Sequence, residues 1–222
     1  MTTIRKARTV PKATSPRATT KRDQREASIE RILASALSLF VSKGFRSATV
    51  DDIARASHLT KGAVYFYFPT KAAVLLALLD QIEAVLVSRM RQRVSEAGPS
   101  RADQLIAFLH SGAGTGDERP ELILLFILMR LEFNGTGDEV EERAKGIEQK
   151  IRTTVEGVVE KGKRDGELRA DLETREMTAI VLALYNGTFM EWYVRPRELR
   201  GRELVRSARE LTLHGLLAPT TG

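Results

Sequence analysis

Residues 49–71 constrain the fold of this chain more than any other segment. They read TVDDIARASHLTKGAVYFYFPTK. Thr49 is a good N-cap, and the aspartates that follow it complement the positive end of a helix dipole. Thr60 caps a second helix, which ends before Pro69 because proline disfavours helical geometry in the residue before it. The pattern predicts two short helices joined by a tight turn, the layout of a helix-turn-helix DNA-binding motif.

A longer helix is predicted to precede this motif. From Asp23 onward apolar residues recur at three- and four-residue steps, and Gly44 supplies a left-handed stop. The stripe consists of Ile29, Ile32, Leu33, Ala36, Leu37 and Phe40. Val64 and Phe68 of the motif are expected to reach back into the same small core. We therefore expect a three-helix DNA-binding domain over residues 23–86, with the helix-turn-helix at 49–68.

The outward side chains of the motif's second helix suit contact with DNA. Lys61 can neutralise a phosphate or donate to guanine, Gly62 lets the backbone approach DNA, and Ala63 can touch a thymine methyl. Tyr65 and Tyr67 offer rings to sugars and hydroxyl groups to phosphates. An ordinary helical hairpin with core aromatics is the alternative. However, four consecutive aromatics span more than one helical turn, so at least one or two must point outward.

Residues 26–83 resemble the N-terminal domain of the TetR/AcrR family of bacterial transcription regulators. The positions that match the family's pattern in order and spacing are Thr49, Ile53, Ala54, Lys61, Gly62, Tyr65, Phe68 and Lys71. The resemblance implies phosphate contacts from Thr49, Tyr65, Tyr67 and Lys71, and base edges near Lys61, Gly62, Ala63 and Tyr67. With the capping residue, the predicted DNA-binding set is Thr49, Thr60, Lys61, Gly62, Ala63, Tyr65, Tyr67 and Lys71.

One position departs from the family's pattern. His58 stands in the turn where the family usually has glycine, which suits a left-handed conformation better. We expect a modest stability cost and no lost function. His110 and His214 are remote from it in sequence and no ligand cluster surrounds any of the three, so no metal site is expected. We also expect no cofactor.

The formal net charge of +6 does not belong to the motif. Residues 1–22 carry seven basic residues and no acidic one, so residues 23–222 sum to −1. The polar composition of residues 1–22 predicts a disordered basic arm. Two interpretations of the arm stay open: it contacts phosphates or the minor groove beside the main site, or it is a solvated, unselective tail.

Composition excludes several classes of protein. The chain has no cysteine, no apolar run of the roughly 18 to 20 residues that a membrane span needs, and no apolar segment typical of a secretory signal. We expect a cytoplasmic protein without a membrane partner. No P-loop, paired-histidine motif or nucleophile elbow is present, so we expect no enzyme.

Beyond the motif, apolar periodicity predicts further helices over residues 71–97, 101–113, 120–134, 139–165, 172–194 and 202–217. No convincing alternating strand is present, so the fold class is all-α. By the resemblance, residues 87–222 form a larger C-terminal domain for effector binding and dimerisation.

The last two predicted helices carry broad apolar stripes that need a partner. The resemblance implies that the same hairpin of a second subunit covers them in a homodimer, whereas intrachain packing is the simpler alternative for part of each stripe. The candidate interface residues are Ile180, Val181, Leu184, Thr188, Val205, Ala208, Leu211 and Thr212. A dimer suits a palindromic operator, because two recognition helices can then enter successive major grooves.

The middle helices are expected to enclose an effector pocket, as the resemblance implies. Its candidate residues are Met90, Phe108, His110, Phe126, Met129, Arg130, Phe133, Tyr185 and Trp192, with Met190, Glu132, Asn134, Asn186 and Glu191 as further candidates. Each is also explained by an ordinary core or surface, because helix bundles use methionine and aromatic residues to fill gaps. An apolar effector is weakly favoured.

These features predict a dimeric, ligand-responsive transcription regulator, in the first place a repressor that leaves double-stranded operator DNA when a small molecule binds. An activator on the same fold, and a nonselective DNA-coating protein, are the alternatives. An enzyme on a helical scaffold would need a substrate that it turns over.

Overall fold

The computed structural model describes residues 20–217, and of residues 112–118 it describes the backbone alone. The helices are α1 (Lys21–Lys43), α2 (Val50–Ala56), α3 (Lys61–Tyr67), α4 (Lys71–Ile82), α5 (Ser88–Glu96), α6 (Arg101–Glu118), α7 (Pro120–Glu132), α8 (Glu139–Arg164), α9 (Thr174–Val194) and α10 (Gly201–Leu216). Within residues 20–217 the only β pairing is an isolated bridge between Leu168 and Leu217. The predicted all-α fold class is confirmed.

The start of α1 and the end of α6 differ from the sequence prediction, and several other helix ends differ by one or two residues. Helix α1 begins at Lys21 because Thr20 and Asp23 form a reciprocal capping box, with N···O distances of 2.8 and 3.2 Å. Two basic residues of the expected arm thus belong to a helix, and residues 1–19 lie outside the described part. Helix α6 continues to Glu118, past the end expected at residue 113.

The long helix expected over residues 71–97 is continuous but not uniform. A π-helical segment, Glu83–Val87, joins α4 to α5. Leu86 and Val87 of this segment are buried. Single π turns inside α-helices are frequent at functional sites. The segment also coincides with the expected domain boundary at residues 86–87.

The N-terminal domain has the core that periodicity predicted. On α1, Ile29 is half-buried and the rest of the stripe is buried: Ile32, Leu33, Ala36, Leu37 and Phe40. Val64 of α3 is fully buried, whereas Phe68 lies partly buried against this core. Burying one large aliphatic side chain contributes about 1.5 to 3 kcal/mol. This shared core sets the orientation of α2 and α3.

The C-terminal domain is built around α7. Residues 122–126 of α7 are all buried, so this helix is apolar on every side in that stretch. Helices α6, α8 and α9 pack around it. Met129, predicted to line the pocket, is fully buried in this core. None of the helices within residues 20–217 combines the length and the apolar character needed to cross a membrane.

The two domains meet through aromatic contacts. The ring of Phe45, in the loop after α1, lies 5.2 Å from Phe40 and 5.3 Å from Phe133, both edge to face. Arg46 forms an ion pair with Glu132 at 3.4 Å. Phe133, another predicted pocket residue, therefore also contacts the DNA-binding domain.

A close helix–loop contact makes Gly162 of α8 a test of the C-terminal packing. A Cβ at Gly162 would lie 2.5 Å from Cδ1 of Leu168, whereas a Cβ at Gly157 would meet no atom within 4 Å. We expect Gly162→Ala to destabilise the protein by about 1 to 3 kcal/mol through overpacking. The matched control Gly157→Ala gains helix propensity and should stabilise it by up to about 1 kcal/mol. Urea unfolding of both variants measures the difference; equal midpoints would contradict the packing.

Candidate DNA-binding site and ligand cavity

Helix α2 and the turn after it are held by local hydrogen bonds. The backbone N–H of Asp52 donates to Thr49 Oγ1 at 3.1 Å, and that of Thr49 donates to Asp52 Oδ2 at 3.2 Å. Hydrogen bonds from Thr49 lower the pKa of Asp52. His58 in the turn has φ of +56°, as its place in the motif predicts. Thr49 is therefore first a capping residue, and its phosphate contact stays a prediction.

Helix α3 presents two aromatic side chains to solvent. Tyr65 is 44% exposed and Phe66 is 79% exposed, whereas Val64 is fully buried. Tyr67 is half-buried and packs edge to face against Phe66 at 5.1 Å. The expectation that part of the aromatic run points outward is confirmed. Phe66 is absent from the predicted DNA-binding set, although it lies one helical turn after Gly62 and so shares its face.

The first turn of α3 combines a cap, a cation and an open backbone. Thr60 Oγ1 accepts the N–H of Ala63 at 3.1 Å. Lys61 donates to Asp51 at 2.7 Å, and this contact raises the pKa of Lys61. Both side chains are about half exposed, so the pair contributes little to stability and can be exchanged for a phosphate contact.

Gly62 has no internal packing reason to be glycine. It is exposed, and a Cβ there would meet Thr60 Oγ1 at 4.0 Å and no closer atom. Gly62 is also helical, with no left-handed backbone to accommodate. The space in front of Gly62 is thus open to a molecule that approaches from outside, as its predicted role requires.

The structure gives Lys71 a role within the protein. Its ammonium donates to the carbonyl oxygens of Phe45 at 2.7 Å, Ala48 at 2.8 Å and Arg46 at 3.2 Å. It also lies 4.4 Å from the centroid of the Phe45 ring. Burial lowers the pKa of Lys71. Three carbonyls take the three donors of an ammonium, so Lys71 holds the loop before α2 in place, and its phosphate contact stays a prediction.

Replacing each lysine by methionine separates the two roles. Lys71→Met leaves the three carbonyls without their donor and should lower the free energy of unfolding by about 1.5 to 3 kcal/mol. Lys61→Met removes a surface ion pair and should change it by less than about 0.5 kcal/mol while weakening DNA binding. Urea unfolding compares them. A Lys71→Met variant as stable as the wild type would contradict the structural role.

A cavity of about 210 Å³ lies in the C-terminal domain. Its walls come from the π segment and helices α5 to α9: Leu86, Met90, Phe108, Ile123, Phe126, Ile127, Arg130, Glu148, Ile151, Arg152, Ala179, Leu182, Ala183, Tyr185 and Asn186. Of the nine predicted residues, those that border it are Met90, Phe108, Phe126, Arg130 and Tyr185. The α8 residues were missed, because nothing in the sequence indicates which face of α8 turns toward α7.

The other four predicted residues do not line this cavity. Met129 and Phe133 border a smaller space of about 40 Å³ next to the core. Trp192 packs on the start of α10, where a Cβ at Gly201 would lie 3.2 Å from its Nε1. Burial and the charges of Arg209 and Arg93 lower the pKa of His110.

The predicted interface residues on the C-terminal hairpin, formed by α9 and α10, differ in exposure. Val181, Ala208 and Thr212 are at most 8% exposed within one chain, so they belong to its own core. Ile180 is 52% and Leu211 is 72% exposed. Leu184, Thr188 and Val205 are half-buried. Val194, at the end of α9, is 68% exposed and is absent from the predicted set.

Comparison with known proteins covers both domains. Residues 32–78 match the family described as bacterial regulatory proteins, tetR family, and residues 125–200 match the tetracyclin repressor-like C-terminal domain. The uncharacterised HTH-type transcriptional regulator YdeS of Bacillus subtilis is 31% identical over 68% of this chain and 73% of its own length. The HTH-type transcriptional repressor BepR of Brucella suis is 27% identical over 73% of this chain and 79% of its own.

A solved structure is similar along nearly the whole length. The MbdR regulator from Azoarcus sp. CIB is 40% identical, with a TM-score of 0.78, over 86% of this chain and 100% of its own. The likeness therefore includes the helix-turn-helix, the junction between domains and the C-terminal bundle.

Proposed function

Because the chain belongs to the TetR family of bacterial transcriptional regulators, we propose that it is a ligand-responsive repressor. As a homodimer it binds a palindromic operator, and a small molecule in the C-terminal cavity releases it. The observation that carries this proposal is the open surface of α3 at Gly62, flanked by Lys61 and the exposed Phe66. BepR, a relative, is named a repressor.

The exposed side of α3 is proposed to contact the base edges. A recognition helix contacts base edges mainly with residues near its N-terminus, where Lys61, Gly62 and Ala63 lie. Lys61 can leave Asp51 for a guanine or a phosphate, since their pair is exposed to solvent. We add Phe66 as an apolar contact to a thymine methyl or a sugar.

Phosphate contacts surround this face. Thr49, Tyr65 and Tyr67 remain the proposed partners. At the start of α4, Thr70 caps the N–H of Ala73 at 3.0 Å, which leaves the earlier amide groups of that helix for an anion. Lys71 remains a proposed partner of the same phosphate, together with these amide groups.

Contact with both halves of a palindromic operator requires a dimer. Two recognition helices meet successive major grooves when they lie about 34 Å apart, which one chain with a single α3 cannot achieve. The exposed apolar side chains of the C-terminal hairpin, Ile180, Val194 and Leu211, support a second copy as partner. Small residues near them on α9, Ala183 and Gly187, allow a helix to approach closely.

Two exposed leucines provide a matched test of the dimer. Leu211 on α10 is 72% exposed and Leu131 on α7 is 73% exposed. Leu211→Glu places a charge in the proposed interface, and we expect monomers in sedimentation velocity and at least 10-fold weaker operator binding. Leu131→Glu should leave the dimer intact. A dimeric Leu211→Glu protein would exclude this interface.

Release by ligand needs a connection between cavity and DNA, and the long helix supplies one. Its first residues hold the loop before α2, while Leu86 and Met90 further along border the cavity. Glu83 in the π segment pairs with Lys150 and Arg143 of α8, and these contacts lower its pKa. A ligand that displaces Leu86 would shift this segment and change the spacing of the two DNA-binding domains. Coupling of about 1 to 3 kcal/mol corresponds to a 5- to 150-fold loss of affinity.

Footprinting on DNA that flanks the chain's own gene tests the proposal, with Gly62→Ala as the diagnostic variant. We expect the wild type to protect a palindrome. Gly62→Ala should be as stable as the wild type or more so, because alanine favours helix, yet require at least 10-fold more protein for protection, because its methyl group blocks the approach of DNA. Gly157→Ala is the matched control. Featureless coating by the wild type would favour a nonselective DNA-binding protein instead.

A further inference from the structure

The cavity in the C-terminal domain is apolar inside but charged at one edge. Apart from this edge its walls are mostly aliphatic and aromatic, and the rings of Phe108 and Tyr185 lie 4.8 Å apart. An apolar cavity of roughly 150 Å³ can hold benzene. A cavity of about 210 Å³ therefore suits a six-membered ring or a short acyl chain.

The charged edge is a cluster of Arg130, Glu148 and Arg152. Arg130 contacts both carboxylate oxygens of Glu148, at 2.5 and 3.0 Å, and Arg152 contacts Oε1 at 3.0 Å. Arg130 joins the cluster from α7 and the other two from α8. Among the residues that line the cavity, these three carry the charges, so the lining has one positive charge in excess.

This cluster stands between the cavity and the outer surface. The three side chains are 29%, 26% and 34% exposed, respectively, so solvent reaches them. Glu148 also borders the small space beside Phe133 and an open crevice on the outside of α8. A molecule with its apolar part inside the cavity can therefore keep a polar head at Arg130 and Arg152.

The chemistry of the cluster favours an anionic head. A guanidinium has five N–H donors and binds carboxylates in a bidentate manner. Two guanidinium groups therefore have more N–H donors than the two oxygens of Glu148 can accept. The guanidinium of Arg130 also lies 5.7 Å from the Phe126 ring, directly beside the apolar wall. A cationic head group would be repelled by the two arginines. A neutral head group would have to separate the arginines from Glu148 without supplying a negative charge in place of its carboxylate.

We propose that the effector is a small apolar monocarboxylate whose carboxylate binds Arg130 and Arg152 in place of Glu148. This rests on the proposed function, since it names the ligand class of the same cavity. Glu148 occupies the head-group site in the free protein, and ligand binding turns its carboxylate toward the outer crevice.

Calorimetric titration of the full chain tests the proposal with paired probes. The carboxylates are benzoate, cyclohexanecarboxylate and octanoate, and their neutral counterparts are benzyl alcohol, cyclohexylmethanol and octanol. We expect at least one carboxylate to bind 10-fold or more tightly than its alcohol. Acetate, which has the carboxylate but lacks the larger apolar part, should not bind. Failure of all three carboxylates, or equal affinity of acid and alcohol, overturns the proposal.

Variants in the cluster assign the role of each charge. Arg130→Gln and Arg152→Gln should each weaken carboxylate binding about 10- to 100-fold, the range of charge-assisted hydrogen bonds, and leave alcohol binding unchanged. Glu148→Gln should tighten carboxylate binding about 10-fold, because it removes the competing anion. Arg164→Gln, at the exposed end of α8, is the matched control.

The variants also separate a ligand site from a structural tie between α7 and α8. If the cluster served stability alone, Glu148→Gln would lower the unfolding midpoint without tightening any carboxylate, and that result overturns the proposal. Should Arg130→Gln fail to fold, Glu148→Gln and Arg152→Gln still decide the question.

Footprinting of the same protein distinguishes failure of this inference from failure of the proposed function. If an alcohol abolishes the protection of a palindrome and no carboxylate does, the proposal of a carboxylate effector is wrong and the proposed repressor function stands. If no palindrome is protected, the proposed repressor function is wrong, whichever of the probes bind to the protein.

Discussion

The contact of the Lys71 ammonium with three backbone carbonyls is the interaction on which the architecture depends. It joins the first residue of the long helix to the loop that precedes the helix-turn-helix. Phe45 of that loop lies under the ammonium and against Phe133 of the C-terminal domain. One partly buried cation thus connects the DNA-reading helices, the long helix and the domain junction. Loss of the ammonium would leave three carbonyl oxygens without this donor, so the contact is costly to break.

The same helix makes the two ends of the molecule interdependent. Its N-terminus orients the DNA-binding domain, and its π segment and α5 border the cavity. Ion pairs of Glu83 with α8 tie the π segment to the helix that carries Glu148 and Arg152. The proposed charge rearrangement at the cavity edge would therefore occur one helix away from the π segment. Packed helices respond to such changes by shifting between discrete arrangements.

Local features of the sequence were predicted well, and features that depend on helix orientation were not. Capping residues and the left-handed turn at His58 act within a few residues, so residue type and spacing are sufficient to find them. The backbone carbonyls that the Lys71 side chain contacts lie more than 20 residues away, at positions 45, 46 and 48, and no local pattern indicates them. Likewise, periodicity identified the apolar stripes of α9 and α10 but could not divide them into Val181, which is buried, and Leu211, which is exposed.

By itself the sequence determined the all-α class, the positions of most helices and the outward position of aromatic side chains on α3, because these follow from periodicity, capping and the residues of one short motif. Only the tertiary structure decided which residues meet across helices. It placed the Lys71 ammonium on carbonyls of the loop before α2 and brought Arg130 of α7 together with Glu148 and Arg152 of α8 at the cavity. The physical reason is that a helical pattern states which residues share a face, whereas the rotation and packing of each helix determine what that face contacts.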